Sequence, residues 1–484
     1  MLAMKFAMAH GFGHCRAAFV NHPDTMPTIN RREFLAGSAA ASATVAAPAA
    51  VRAQGFADVD VAIIGGGAAG IAAARRVIAA KRRCVIVEAT GRLGGRCITD
   101  NAIFGVPFDR GAHWLHLPDS NPLAQLAPST GLDLYDAPRG LKLRVPPRAA
   151  RDIELEDYFT KLVHANRAIV EAGRAKGDLP AAAALPADLG DWRDTIEFSI
   201  GPYSTGKELA QLSATDMSRA VERGRDAFCR EGFGALLVKL AAGLPVRLGT
   251  PVDEIDWDNG VVIATSKGRF RARAAIVTAS TGALAAGKLN FKPALPKRQM
   301  DAINALSLGS YDHIALDLPG NPLGLDRDDL VIEKSSGPKT AALLANIGGT
   351  SLCTVDVAGG FGRDLARQGE PAMAAFARDW LKTMFGNDVG ARIGKTAATR
   401  WNDEPYALGA FSAAAPNGAD ARRVLMEPLR ERVWFAGEAV HQSLWGTVGG
   451  AWESGNRAAE AALKKIGALK ERDDDKPAPR RRRR

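Results

Sequence analysis

The strongest constraint on this chain is a glycine loop set between a strand and a helix. Asp58–Ile64 reads as an apolar strand, Gly65-Gly66-Gly67-Ala68-Ala69-Gly70 follows at once, and an Ala-rich stretch runs to about Ala80. A second apolar run, Cys84-Val85-Ile86-Val87, stops at Glu88. This spacing predicts a βαβ unit with GxGxxG at its first turn. Gly65 permits the tight turn, Gly67 lets backbone approach a pyrophosphate, and Gly70 lets helix and strand pack closely. The helix start around Ala69 supplies oriented N–H groups and a partial positive charge for that pyrophosphate. Glu88 stands where a carboxylate accepts hydrogen bonds from an adenosine ribose, and its charge argues against a 2′-phosphate, hence against NADP.

At 484 residues the chain has room for two or three folding units. Its formal charge of +10 looks like a nucleic-acid signature until it is located. Residues 1–53 carry +3 and Arg480–Arg484 carry +5, which leaves the body at +2. A near-neutral body gives no reason to expect a nucleic-acid partner. The five cysteines show no CxxC pair, so neither a disulfide framework nor a metal site is expected.

Arg31-Arg32 precede the uncharged stretch Ala36–Ala50, and Val51-Arg52-Ala53 offers small residues for a signal peptidase. Residues 1–53 thus resemble a twin-arginine signal, which implies the twin-arginine translocase as a partner and delivery of the folded chain to the periplasm. The apolar run is short of the roughly 20 residues that a membrane-spanning helix needs. Met26 offers an alternative start, which would leave residues 1–25 untranslated. Residues 467–484, with Pro477, Pro479 and the terminal arginines, read as a disordered basic tail.

Which dinucleotide is bound follows from the next residues. Gly91-Arg92-Leu93-Gly94-Gly95-Arg96 places more glycines and two guanidinium groups beside the same pyrophosphate. With Glu88-Ala89 in front, the string resembles the flavin-containing amine oxidases: monoamine and polyamine oxidases, L-amino-acid oxidases and lysine-specific histone demethylases. The resemblance implies FAD and extends from about Asp58 to Leu463, weakening between residues 140 and 225. Phe108–His116, with Gly111, Ala112, His113 and Trp114, is similar to the segment that passes along the flavin ring. Val252 matches the residue whose backbone meets the adenine. Ala274–Leu284 follows the family strand and turn, with Ser280 in place of its proline. Gly437-Glu438 resembles the pair at the pyrophosphate and ribitol, and Thr447-Val448 the start of a helix aimed at the flavin.

The resemblance implies an α/β fold with a discontinuous Rossmann-like FAD domain, residues 56–135, 210–300 and 400–466. A mixed α+β substrate domain would comprise 136–209 and 301–399. The implied reaction is oxidation of an amine to an imine, then an aldehyde or ketone, with electrons passed to oxygen or another acceptor. A homodimer is compatible with this reading. Trp401 to Phe411 is similar to the segment that builds an aromatic cage for the amine. Phe411 and Thr447 take the two cage positions, and Trp445 or Trp114 is a candidate second ring. Ala410 stands where monoamine oxidases carry the cysteine that tethers FAD, so the cofactor is expected to be non-covalent. His313 stands where the family usually has a lysine that holds a water at flavin N5. A histidine there would change charge near its ordinary pKa of about 6.5, which leaves oxidase and dehydrogenase behaviour both open. Asp152, Glu154, Glu156 and Asp157 read as a solvated helix face rather than an amine lure. The alternatives to an amine oxidase are an L-amino-acid oxidase, an amine dehydrogenase, and a flavin-binding subunit without turnover.

Overall fold

The computed structural model describes residues 58–469 except 139, 222 and 223; the twin-arginine segment and residues 470–484 of the tail lie outside the described residues. Strand Val59–Ile64, helix Ala68–Ala79 and strand Cys84–Val87 form the expected βαβ unit. The first sheet has eight strands. Its parallel core runs Val246–Arg247, Cys84–Val87, Val59–Ile64, Gly268–Val277 and Val433–Phe435. Val261–Thr265 and Val252–Asp256 extend it in antiparallel fashion, and Asn290–Lys292 closes the edge.

The alternation of the central strands divides two cores. Ala62, Ile64, Val85 and Val87 face one cluster, while Val61, Ile63, Cys84 and Ile86 face the other. The second face is covered by helices Ala68–Ala79 and Val448–Lys465, which cross closely because Gly455 lacks a side chain. A Cβ on Gly455 would lie 2.1 Å from the carbonyl oxygen of Ala69.

The second sheet has seven strands, in the order Thr396–Ala398, Tyr311–Asp317, Leu352–Ala358, Ala342–Ala345, Asp329–Glu333, Leu141–Val145, Arg148–Ala149. All its pairings are antiparallel except that of Asp329–Glu333 with Leu141–Val145. One face, with Ile314, Leu316, Val355 and Val357, packs against helix Glu370–Phe385. The expected segment boundary at residues 300 and 301 falls inside helix Lys297–Ala305, a correction to the sequence reading. Ala302 and Ile303 bury that helix against the first sheet's core, so it belongs with the FAD-side segment. Among the described residues, no helix is long and apolar enough to cross a membrane.

Candidate active site

A cavity of about 510 Å³ opens at the carboxyl ends of the parallel strands and reaches the strand Tyr311–Asp317 of the second sheet. Ligands of open α/β sheets bind at that end. Its near wall is the glycine loop. Gly65 has φ +109°, and a Cβ there would meet Thr278 Oγ1 at 2.4 Å. Gly67 has nothing closer to a hypothetical Cβ than 3.9 Å, so its open side faces the cavity. Gly70 does not itself line the cavity. A Cβ on Gly70 would sit 2.0 Å from the Gly65 carbonyl oxygen, so its work is close packing of helix on strand.

Glu88 lines the cavity and is held in place by the loop: Gly66 N–H donates to Oε2 at 2.6 Å, and Thr90 N–H and Oγ1 donate to Oε1. Ala69, Gly94, Gly95, Gly111, Ala112, Trp114, Val252 and Gly437 line it too. The Arg92 guanidinium donates to the Gly95 carbonyl oxygen, and Arg96 donates to Ala410 O and to Glu438 Oε1 at 2.9 Å. Glu438 also accepts from Ser412 and from Gly446 N–H, so one buried carboxylate ties three loops around the site. Thr447 caps helix Val448–Lys465 by accepting from Gly450 N–H, and its hydroxyl donates to Leu444 O. Both Thr447 and Val448 line the cavity, and the first amides of such a helix have no intrahelical acceptor. Ser280, standing in for the family proline, caps helix Thr281–Ala285 and donates to Ala407 O.

This donor set fits FAD. The free face of Gly67, the helix start at Val448 and a buried nitrogen without a partner converge on one cavity. That nitrogen is His113 Nε2; Nδ1 of the same ring is 2.8 Å from Asp109 Oδ2.

The far end is aromatic. Phe411, Tyr311 and Tyr203 line it, with ring centroids 5.8 Å apart for Tyr311–Phe411 and 6.0 Å for Tyr203–Tyr311. Trp114 lines the cavity with its ring edge against Phe228. Trp401 lines it as well and donates from its indole to Arg110 O. Trp445 is a correction. It does not line the cavity; its ring lies 4.8 Å from the Arg422 guanidinium, within an apolar cluster behind the site. Cation–π attraction to a fully buried arginine outcompetes exposure to the cavity. Tyr311 and Tyr203 were missed. Tyr203 lies where the family resemblance is weakest, and only the fold brings it forward.

His313 lines the cavity with both ring nitrogens engaged: Nδ1 is 2.7 Å from Asp356 Oδ1, and Nε2 is 3.0 Å from Gly111 O. Both partners are acceptors, so both nitrogens donate and the ring is an imidazolium. Burial pushes its pKa down, but the Asp356 charge and hydrogen bond, the Gly111 carbonyl and Asp312 outweigh burial and hold it at about 9. The expectation of a charge that changes near pH 6.5 is therefore corrected: the ring, paired with Asp356, stays cationic through neutral pH. Asp312 points elsewhere, accepting from Thr399 Oγ1 and Trp401 N–H, and burial pushes its carboxyl up to about 6. The acidic run at Asp152–Asp157 lies on helix Asp152–Arg174, outside the cavity, where Glu154 pairs with Arg148.

The family profile described as flavin containing amine oxidoreductase matches residues 197–463, and a NAD(P)-binding Rossmann-like profile matches residues 63–127. The chain belongs to the flavin-containing amine oxidoreductase family. It is an FAD-dependent enzyme that oxidises amines and passes the electrons to an acceptor. It is 28% identical over 445 residues to polyamine oxidase 3 of Oryza sativa subsp. japonica, covering 84% of this chain and 89% of that one. It is 26% identical over 444 residues to human lysine-specific histone demethylase 2, covering 82% of this chain and 53% of that one. Cyclohexylamine oxidase from Brevibacterium oxydans superposes with a TM-score of 0.72 at 21% identity, covering 85% of this chain and all of that one. Putrescine oxidase bound to putrescine gives 0.72 at 17% identity over 84% and 99% of the two chains.

Proposed function

We propose that the protein is an oxidase of amines that carry a second cationic nitrogen, using non-covalent FAD and passing electrons to oxygen to give hydrogen peroxide. Bound FAD supplies the two-electron acceptor for the carbon beside the amine nitrogen. The observation that carries the proposal is one cavity that joins an aromatic end wall to the Asp226 carboxylate and the His313 imidazolium.

The chain's own groups divide the work. Tyr203, Tyr311 and Phe411 exclude water and present ring faces to the amine. The His313 cation repels an ammonium beside it, which favours the neutral amine that can be oxidised. The same cation stabilises negative charge that develops on oxygen as it is reduced. Asp226 lines the cavity near Tyr203, 2.7 Å from His116, and offers a carboxylate to a second, still protonated nitrogen. Putrescine and polyamines, which appear in the names of relatives, have that form. An amino-acid substrate would need an arginine for its carboxylate. The arginines that line the cavity are Arg92 and Arg96, both committed at the glycine-rich end. Ala410 leaves no thiol at the tethering position. The twin-arginine reading makes the proposed location the periplasm.

Anaerobic mixing with putrescine, spermidine, cyclohexylamine and L-amino acids tests the assignment by flavin bleaching. Diamines are expected to reduce the flavin at the lowest concentrations, with Asp226→Asn losing that advantage and leaving cyclohexylamine unaffected. Equal response of wild type and Asp226→Asn to every amine would remove Asp226 from the reading. Preferential bleaching by amino acids would replace the substrate class.

A further inference from the structure

A second cleft, of about 410 Å³, lies on the other side of the loop that carries Trp401 and Ala410. It is bounded by helices Thr281–Ala285, Lys297–Ala305 and Gly359–Arg367 and by residues 400–408. Three guanidinium groups, Arg363, Arg367 and Arg400, line it against one carboxylate, Asp403. Arg400 lies 3.2 Å from Asp403, and Arg367 lies 3.2 Å from Asp364 outside the cleft. Arg363 differs from both. Its guanidinium makes no hydrogen bond or ion pair with any described residue, and its Nε is buried without an acceptor.

Arg363 is half-buried at the cleft wall, and a guanidinium without a partner among the described residues is free there to take the oxygens of an anion. The Arg363 charge is felt nearby. Burial first, and then the guanidinium groups of Arg422 and Arg363, push the Lys207 ammonium down to about 8. Asn402 supplies a further donor. Ser310 Oγ donates to Asn402 Oδ1 at 2.7 Å, which orients the amide and leaves its NH₂ without an acceptor among the described residues. An unpaired guanidinium, two more arginines and an amide NH₂ among the residues of one cleft suit the oxygens of carboxylate and phosphate groups.

We propose that this cleft is a binding site for a small multivalent anion bearing carboxylate or phosphate groups, held by Arg363 with Arg367, Arg400 and Asn402. It is separate from the flavin cavity, and the proposal stands whether or not the substrate reading above is right. The loop between the two is shared: Trp401 and Ala410 line one cavity, Asn402 and Leu408 the other. An anion that bridges Asn402 and Arg363 would therefore brace the loop that leads to Phe411.

Isothermal titration of the FAD-loaded enzyme tests the site, using citrate and pyrophosphate in turn at matched ionic strength, so that general screening is constant. Saturable binding of one anion per chain is expected from at least one probe. Citrate alone would identify a carboxylate ligand, and pyrophosphate alone a phosphate ligand. Arg363→Gln should weaken the response by about tenfold or more, the equivalent of one charge-assisted hydrogen bond. Arg367→Gln, at an exposed position where folding is not at stake, should weaken it several-fold. Asp364→Asn, which releases Arg367 from its ion pair outside the cleft, should not weaken binding. No saturable binding by either probe, or binding indifferent to both arginine variants, overturns the proposal.

Discussion

Asp356 stands directly across the antiparallel pair from His313, and their side chains meet at 2.7 Å. Opposed residues in neighbouring strands share a face, so the sheet register itself builds this ion pair. Tyr311, two residues before His313 and hence on the same face, donates its hydroxyl to the other carboxylate oxygen at 2.9 Å. One aspartate thus fixes a cation and a cavity-wall phenol together. Reaction of the reduced enzyme with oxygen should therefore be nearly independent of pH from 6 to 8 and slow only as pH approaches about 9. Asp356→Asn should move that decline toward neutral pH, and His313→Gln should slow the step at least about tenfold at every pH. His313→Lys should resemble wild type near pH 7. Stopped-flow mixing across pH reads all three. A wild-type profile that titrates near 6.5 would return His313 to an ordinary, uncoupled histidine.

The same pair has a stability consequence with a definite sign. The folded pKa of about 9 lies above the ordinary 6.5, so folding binds the proton more tightly. That contribution is complete below pH 6.5 and is lost as pH rises through 9. Denaturant titrations of wild type and His313→Gln should accordingly converge between pH 6.5 and 9. A constant gap across that window would mean that the imidazolium is no more stable in the folded chain than outside it.

The dinucleotide half of the site was legible because its chemistry sits in contiguous residues. Gly65 to Gly70, Glu88 and Arg92 to Arg96 are a local string whose turn, charge and spacing declare the ligand. The Asp356–His313 pair was not legible, since it depends on how strands Tyr311–Asp317 and Leu352–Ala358 register across 43 residues. A hint was present: Asp356 is the lone charge in the apolar run Leu-Cys-Thr-Val-Asp-Val-Ala. Trp445 and Trp114 are equal candidates for a second ring in the sequence, which does not say which way a loop tryptophan turns. The buried charge of Arg422 draws the Trp445 ring away from the cavity that Thr447, two residues on, does line.

Replacing Arg31 and Arg32 together by lysine should leave a folded, FAD-loaded enzyme trapped in the cytoplasm. Export machinery of this type reads the arginine pair, whereas the FAD cavity is built wholly from later residues. Fractionation followed by flavin absorbance measures it. Normal periplasmic delivery of the double variant would show that the pair is not the signal.

Arg422 is fully buried and spans two regions of the chain. Its Nε and Nη2 donate to the two oxygens of Asp216 at 2.8 Å, and Nη1 donates to Ser412 and to the Ala439 carbonyl oxygen. Removing one partner strands the other charge, so Asp216→Ala should cost about 3–5 kcal/mol. Arg422→Met combined with Asp216→Leu should cost less than Asp216→Ala alone, because no charge is left behind. Chemical denaturation of the three proteins decides it, and a single variant within 1 kcal/mol of wild type (about the worth of a surface pair) would contradict the burial argument.

Gly67 and Gly70 belong to one motif yet should fail differently when given a methyl group. At Gly70 the new Cβ would press on a backbone carbonyl at 2.0 Å, which no side-chain movement relieves. Gly70→Ala should therefore damage folding of the βαβ unit itself, lowering the melting temperature even of FAD-free protein. At Gly67 the nearest protein atom is 3.9 Å away, so the fold tolerates the methyl. What the methyl occupies is cavity space where backbone must approach the pyrophosphate. Gly67→Ala should thus melt like wild type without FAD and yet retain the cofactor poorly. Comparing FAD-free melting temperatures with FAD dissociation constants for the two variants separates packing from binding. Equal damage to both properties in both variants would show that the loop acts as one structural turn, without a face reserved for the cofactor.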